Sequence, residues 1–401
     1  MKNVNPRTVG TKEFTILMAV LMSIVAISID AMLPALGIIG ADLQVAHQNH
    51  VQYVVSFIFI GMTLGELICG PLSDAIGRKK VLYLGIGFYL VGSVICFLAS
   101  SFTLLLVGRF IQGLGVAGPY VCTMSVVRDK YKGREMARVM SLVMMIFIMV
   151  PAIAPTLGQG ILFLASWRYI FLLYIVYSIV VGLWIFLRLD ETLAPENRIP
   201  FKFASILNGF KDVIRNRATI GYTICVGLIF GSLIGYLNSC QQIFQVQFNT
   251  GALFTVYFGC LALVFGVSSL VNSKFVEKLG MRYICYRAAL VLIAASFVFL
   301  VINLVLEVKL WMFLTYVGTL FFCFGLMFGN LNSLAMEPMG HIAGIASAVI
   351  GAISSAIAIP LGAIIGQLYN NTLIPIAAGF LILGILSLLA MRYADHAPRS
   401  T

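Results

Sequence analysis

Apolar runs long enough to cross a bilayer recur along the whole chain. They lie near positions 14–36, 51–72, 81–99, 103–127, 139–163 and 169–187, then 219–243, 252–273, 284–304, 310–334, 342–368 and 373–391. A membrane-spanning helix needs about 20 predominantly apolar residues, because each residue adds only about 1.5 Å of rise. Inside lipid every backbone N–H and C=O must find an internal partner, and a helix supplies one within the segment. Twelve such helices consume about 240 residues, which leaves short loops and no room for a large soluble domain in a chain of 401 residues. Composition agrees with this reading. The chain is 61% hydrophobic and 10% charged, whereas soluble domains carry about 25% charged residues. The first run is too long for a signal-peptide core and lacks a small-x-small cleavage site, so it is read as a span and not as a leader.

The 26 Lys and Arg residues are divided unevenly between the two sides of these runs. When the intervening segments are numbered alternately, 23 of the 26 fall on one side, in clusters at 2–12, 78–80, 128–138, 188–217, 274–287 and 392–399. Of the other three, Arg109 lies inside the fourth run, Arg168 opens the sixth, and Lys309 stands between the ninth and tenth. The positive-inside rule makes the basic side cytoplasmic and places both termini there. The net charge of +11 is thereby a topology signal, and nucleic acid is not an expected partner. All eight cysteines fall in or beside apolar stretches without a C-x-x-C pair, a pattern of small core residues and not of a disulfide framework or metal site. His47 and His50 are spaced i, i+3, but no third ligand accompanies them. Ser-His-Asp, H-E-x-x-H and phosphate-loop motifs are lacking. Neither an enzyme, a resident cofactor, a metal centre nor a nucleotide-driven pump is expected.

The longest polar stretch, 188–218, divides the chain nearly in half. The expected organisation is an N-terminal six-helix bundle over 1–190, a cytoplasmic linker over 191–217, and a C-terminal six-helix bundle with a short tail over 218–401. Within the linker, Phe203, Ile206, Leu207, Phe210, Val213 and Ile214 follow helical spacing. They describe either an amphipathic helix at the membrane surface or a plain solvated linker. A shift of 203 residues lays 70–80 over 273–283, aligning Asp74 with Glu277, Gly77 with Gly280 and Lys79 with Arg282. Two six-helix repeats with a substrate site at the midplane between them are a known transporter plan.

Three motifs carry a resemblance to a known family. The loop 70–80, "GPLSDAIGRKK", resembles the glycine-x-x-x-aspartate-x-x-glycine-arginine-lysine loop of the major facilitator superfamily, through Gly70, Asp74, Gly77, Arg78 and Lys79. "RFIQGLGVAG" in the fourth run, with Arg109, Gln112 and Gly113, resembles a second motif of that family. "PAIAPTLGQG" in the fifth, with Pro151, Pro155 and Gly158, is similar to the antiporter motif of drug exporters, with Ala154-Pro155 for Gly-Pro and Gly158-Gln159 for Gly-Gly. Together with "SIDAMLPAL" (28–36) and "SWRYIFLL" (166–173), these segments resemble the Bcr/CflA type of multidrug exporter. The resemblance implies an all-α membrane fold of twelve helices in two bundles, in a bacterial cell inner membrane, working as a monomer. It also implies that the 70–80 loop latches the halves in one state and releases them in the other. The bend in the fifth span would then seal the interface against leak.

The charged residues inside the spans are the candidates for coupling. A charge near the bilayer centre costs about 2.5–3.5 kcal/mol on insertion scales, a cost that argues for a role at Asp30, and Arg109 sits at a comparable depth of about 9–11 Å below the outer surface. Desolvation favours a neutral acid, and a nearby guanidinium favours the carboxylate. A change that moves one relative to the other would load and unload a proton, so the proton is the expected coupling ion. A static ion pair between spans 1 and 4 is the alternative. Glu66 stands one position beyond the close-packing pair Gly61 and Gly65. It reads as a second proton site, a hydrogen-bonded neutral acid, or part of the latch. For a small-molecule substrate, Tyr236, Asn238, Gln241 and Gln242 in the seventh span and Phe324 and Asn330 in the tenth offer amides and aromatics. They suit a roomy, mostly apolar cavity, to which Gln112 of the fourth span is added; hydrogen bonding between helices is the other use of these amides. The expected function is proton-coupled export of drug-like amphipathic molecules. Export of an endogenous metabolite or siderophore, or uptake of a nutrient, uses the same fold.

Overall fold

A computed structural model describes residues 10–396; Lys2, Arg7 and Arg399 of the basic clusters lie outside them. The described chain is helical, with twelve segments long and apolar enough to cross a membrane. The first span is α1 (Thr11–Asp30), a 3-10 turn (Leu33–Ala35) and α2 (Leu36–Asp42). The next five are α3 (Tyr53–Ile76), α4 (Arg78–Phe97), α5 (Phe102–Lys130), α6 (Gly133–Leu164) and α7 (Arg168–Arg188). After α8 (Phe203–Arg215) come α9 (Arg217–Gln241), which continues into a π-helical turn (Gln242–Gln247), α10 (Phe254–Leu279), α11 (Met281–Val305), α12 (Leu310–Met336), α13 (Ala343–Gln367) and α14 (Ile374–Asp395). The chain forms two compact units, Met1–Leu43 with Phe57–Lys202, and Gln44–Ser56 with Phe203–Thr401.

In the first unit α1 packs on α5, α6 and α7, and α4 packs on α5 and α7. Burial in lipid gives no hydrophobic drive between helices, so close approach at small residues does the work. A methyl group on Gly61 of α3 would fall 2.1 Å from the Phe110 carbonyl oxygen of α5, and one on Gly115 of α5 would fall 2.3 Å from the Tyr89 nitrogen of α4. The backbones of these helices touch. Both ends of the first span are tied to α7. Arg188 grips Glu13 with Nε and Nη2, each at 2.7 Å. At the other end Trp167 Nε1 and Arg168 Nη1 donate to Asp42 Oδ2 at 2.9 and 2.7 Å. Leu183, Phe186 and Leu187 of α7 remain exposed on the outside of the unit.

In the second unit α9 is buried against α12, α13 and α14, and α11 packs on α12 and α14. The linker segment forms a helix, α8, that packs on α13, with Ile206 and Val213 buried and Gly209 against Ile345. Leu207 and Ile214 stay exposed on its other side. Gly77, between α3 and α4, has φ +105°, and Gly280, between α10 and α11, has φ +82°. Both lie where L side chains are strained, so the two aligned loops turn at glycine for one reason.

Candidate functional site

The polar core of the first unit is built around Arg109 of α5, which is fully buried. Its Nη1 donates to the Ser28 carbonyl oxygen of α1 at 3.0 Å and to Gln112 Oε1 at 2.9 Å. Gln112 Nε2 donates onward to Ser93 Oγ of α4 at 2.8 Å. The Ser28 and Tyr89 hydroxyls are hydrogen-bonded at 2.7 Å, and the Tyr174 hydroxyl of α7 donates to the Ile27 carbonyl oxygen at 3.0 Å. Three helices, α4, α5 and α7, thus converge on Ile27 and Ser28 of α1. A guanidinium has five donors and no acceptor, so inside a bundle it is stable only where oxygens are gathered around it.

Asp30 is the last residue of α1 and is buried, with 5% of its surface exposed. Arg109 meets its helix two residues earlier, through the Ser28 backbone. The helix stops here because Pro34 cannot donate and because the Ala35 N–H bonds to the Met32 carbonyl at 2.9 Å, a shorter turn. α6 faces this break with Ala154, Pro155 and Gly158 buried, and Pro151 is half-buried. A methyl group on Gly158 would lie 1.9 Å from the Ala31 carbonyl oxygen. Glu66, half-buried on α3, belongs to a different face. Gly61 and Gly65 of α3 press on α5, and Glu66 sits beyond that contact.

The loop motif forms a charge network. Arg78 opens α4, pairs with Asp74 of the preceding helix, and donates from Nε to Asp129 Oδ2 at 3.0 Å and from Nη1 to Ser73 Oγ at 2.7 Å. Glu191, just after α7, accepts the backbone N–H groups of Arg78 and Lys79 at 2.9 and 3.2 Å. A carboxylate there satisfies orphan donors and complements the helix dipole. A side chain on Gly77 would strike that carboxylate at 2.4 Å. Gly70 is less constrained, with Val121 Cγ1 3.9 Å from its would-be Cβ. The sequence signals above do not single out Asp129 and Glu191, though both are acids set in strongly basic segments. That anomaly was the available signal.

The substrate candidates separate into several clusters. Gln112 belongs to the Arg109 core. In the second unit, Tyr236 packs edge-on against Phe321 at 4.9 Å and stacks near Phe258, and Phe324 adjoins Phe321 and Phe380. Asn330 exchanges amide hydrogen bonds with Asn272 of α10. Gln241 donates to Gln245 at 2.9 Å, and Asn238 reaches Ser56 Oγ at 3.4 Å. Gln242 bonds to Gln52 and to Asn49 Oδ1, and Asn49 in turn exchanges bonds with Gln367 of α13. In this arrangement the amides of the seventh span hold structure together.

Comparison with known proteins accords with this architecture. A family profile described as the Major Facilitator Superfamily matches residues 16–363. The "Uncharacterized MFS-type transporter YdgK" of Bacillus subtilis (strain 168) is 29% identical, covering 96% of each chain. A "Bicyclomycin resistance protein homolog" of Haemophilus influenzae is 26% identical over 91% of this chain and 92% of its own. The "Multidrug resistance protein MdtL" of Salmonella heidelberg is 29% identical over 94% of both. Among solved structures, the human organic anion transporter MFSD10 aligns with a TM-score of 0.70 at 16% identity, over 96% of this chain and 100% of that one. The xylose transporter XylE from E. coli, in a partially occluded inward open conformation, aligns at 0.73 and 11%, over 97% and 98%. At those identities the two structures speak for the fold alone.

Proposed function

This chain belongs to the Major Facilitator Superfamily, and from that premise we propose that it exports amphipathic, drug-like small molecules in exchange for protons. It is a twelve-span secondary transporter and not an enzyme; substrate class, direction and coupling ion are the proposed part. The observation that carries the proposal is the placement of Asp30, a buried carboxyl at the end of the helix to which Arg109 is anchored. An ionised Asp30 brought within reach of Arg109 would compete with the Ser28 carbonyl and Gln112 for that guanidinium, and a protonated one would not. Gain or loss of a proton therefore alters what joins α1 to α5. Resistance-protein relatives support a drug-like substrate.

In this reading the Asp74–Arg78 network is the cytoplasmic latch, and Glu66 is the second candidate for a proton. Tyr236, Asn238, Gln241, Gln242, Phe324 and Asn330 contact substrate once their mutual bonds rearrange. The protein works as a monomer in a bacterial inner membrane with both termini cytoplasmic. Uptake of a panel of amphipathic dyes and antibiotics into inverted vesicles tests the proposal. Energised vesicles should accumulate at least one member, and a protonophore should abolish that accumulation. Accumulation that survives the protonophore would refute proton coupling.

A further inference from the structure

We infer that Gly158 is a positioning residue for Asp30: it seats α6 on the break in the first span that directly follows the proposed proton-carrying carboxyl. The inference rests on Asp30 being that carboxyl. At the break, the N–H that would close an α-helical turn on the Ala31 carbonyl is that of Ala35, and it goes to Met32 instead, at 2.9 Å. Pro34 has no N–H to offer in its place. The Ala31 oxygen thereby loses its helical donor within a fully buried segment, where a stranded carbonyl costs about 1–3 kcal/mol.

Gly158 is set against this oxygen. A Cβ on it would lie 1.9 Å from the Ala31 oxygen and 2.8 Å from its carbonyl carbon. The hydrogen that glycine carries in place of Cβ therefore points at the acceptor, the geometry of a Cα–H···O contact. Only glycine permits it. Pro155, one turn earlier and also buried, removes a hydrogen bond from the backbone of α6 beside the site. The polar groups around residues 27–30 come from the other neighbours of α1: Arg109 and Gln112 on α5, Tyr89 and Ser93 on α4, and Tyr174 on α7. From α6 the contact is backbone on backbone. A shift of the Asp30–Ala31 break on proton exchange must move past Gly158 and so is transmitted to the fifth span.

The test separates seating from general packing by comparing two activities of the same reconstituted protein. Substrate counterflow requires binding and alternation but no net proton movement, whereas accumulation driven by a pH gradient requires coupling. Gly158→Ala should keep counterflow while gradient-driven accumulation falls by on the order of 10- to 100-fold, the scale of an approximately 1 Å misplacement. Gly160→Ala, on the same helix with nothing within 4 Å of its Cβ, should change neither. Should Gly158→Ala fail to fold, Pro155→Ala must show the same split. Equal loss of both activities, or loss of neither, overturns the inference. Asp30→Asn is run beside them. If it stays coupled, the reading of Asp30 fails; if it uncouples while Gly158→Ala and Pro155→Ala behave as wild type, only the seating role fails.

Discussion

Arg109 shows how one residue can organise a bundle. Its guanidinium joins the Ser28 backbone, Gln112 and, through Gln112, Ser93, so three helices share a single cation. Arg109→Ala should leave these acceptors stranded at about 1–3 kcal/mol each, lowering the thermal midpoint of the purified protein and abolishing gradient-driven transport. Arg109→Lys should recover the midpoint more than the transport, because an ammonium lacks the guanidinium's fixed planar array of donors. Equal recovery of both would reduce Arg109 to a packing role. The charge of Asp30 and Arg109 within apolar runs was legible in the sequence, since charge in hydrocarbon is costly. That Arg109 reaches α1 through the Ser28 carbonyl was not, because backbone acceptors leave no residue-type signal.

Among the elements, the turn from α3 to α4 couples the ends of four helices through Asp74, Arg78, Asp129 and Glu191. Asp74→Asn removes one carboxylate while Arg78, Lys79 and Lys80 still fix topology. Insertion should be normal and the transport rate reduced. Glu191→Gln should weaken the start of α4 by about 0.5–2 kcal/mol, the range for losing a helix cap, and lower the rate as well. Normal rates in both variants at normal expression would make the loop an anchor only. The loop glycines were readable because Gly77 and Gly280 recur at matching places and both require positive φ. The break after Asp30 was half readable. Pro34 announces an interruption, but the shortened turn at Ala35 and the docking of Gly158 depend on a helix more than a hundred residues away.

For the whole molecule, hydropathy located the twelve spans because a helix crossing lipid satisfies its backbone internally and must be apolar along its length. It could not assign Gln44–Ser56, which joins the unit of residues 203–401 through hydrogen bonds of Asn49 and Gln52 with Gln242 and Gln367. Amides at such distances carry no periodicity. The uneven division of 23 of 26 basic residues predicts that a cysteine placed at 308 is labelled from outside intact cells and one placed at 205 is not. The reverse pattern would invert the topology. Proton coupling through Asp30 is the central claim, and proton release from purified protein in weak buffer tests it most directly. Addition of a transported substrate should release protons from the wild type, and Asp30→Asn, while still binding that substrate, should release none. Undiminished release from Asp30→Asn would contradict the account and pass the role to Glu66.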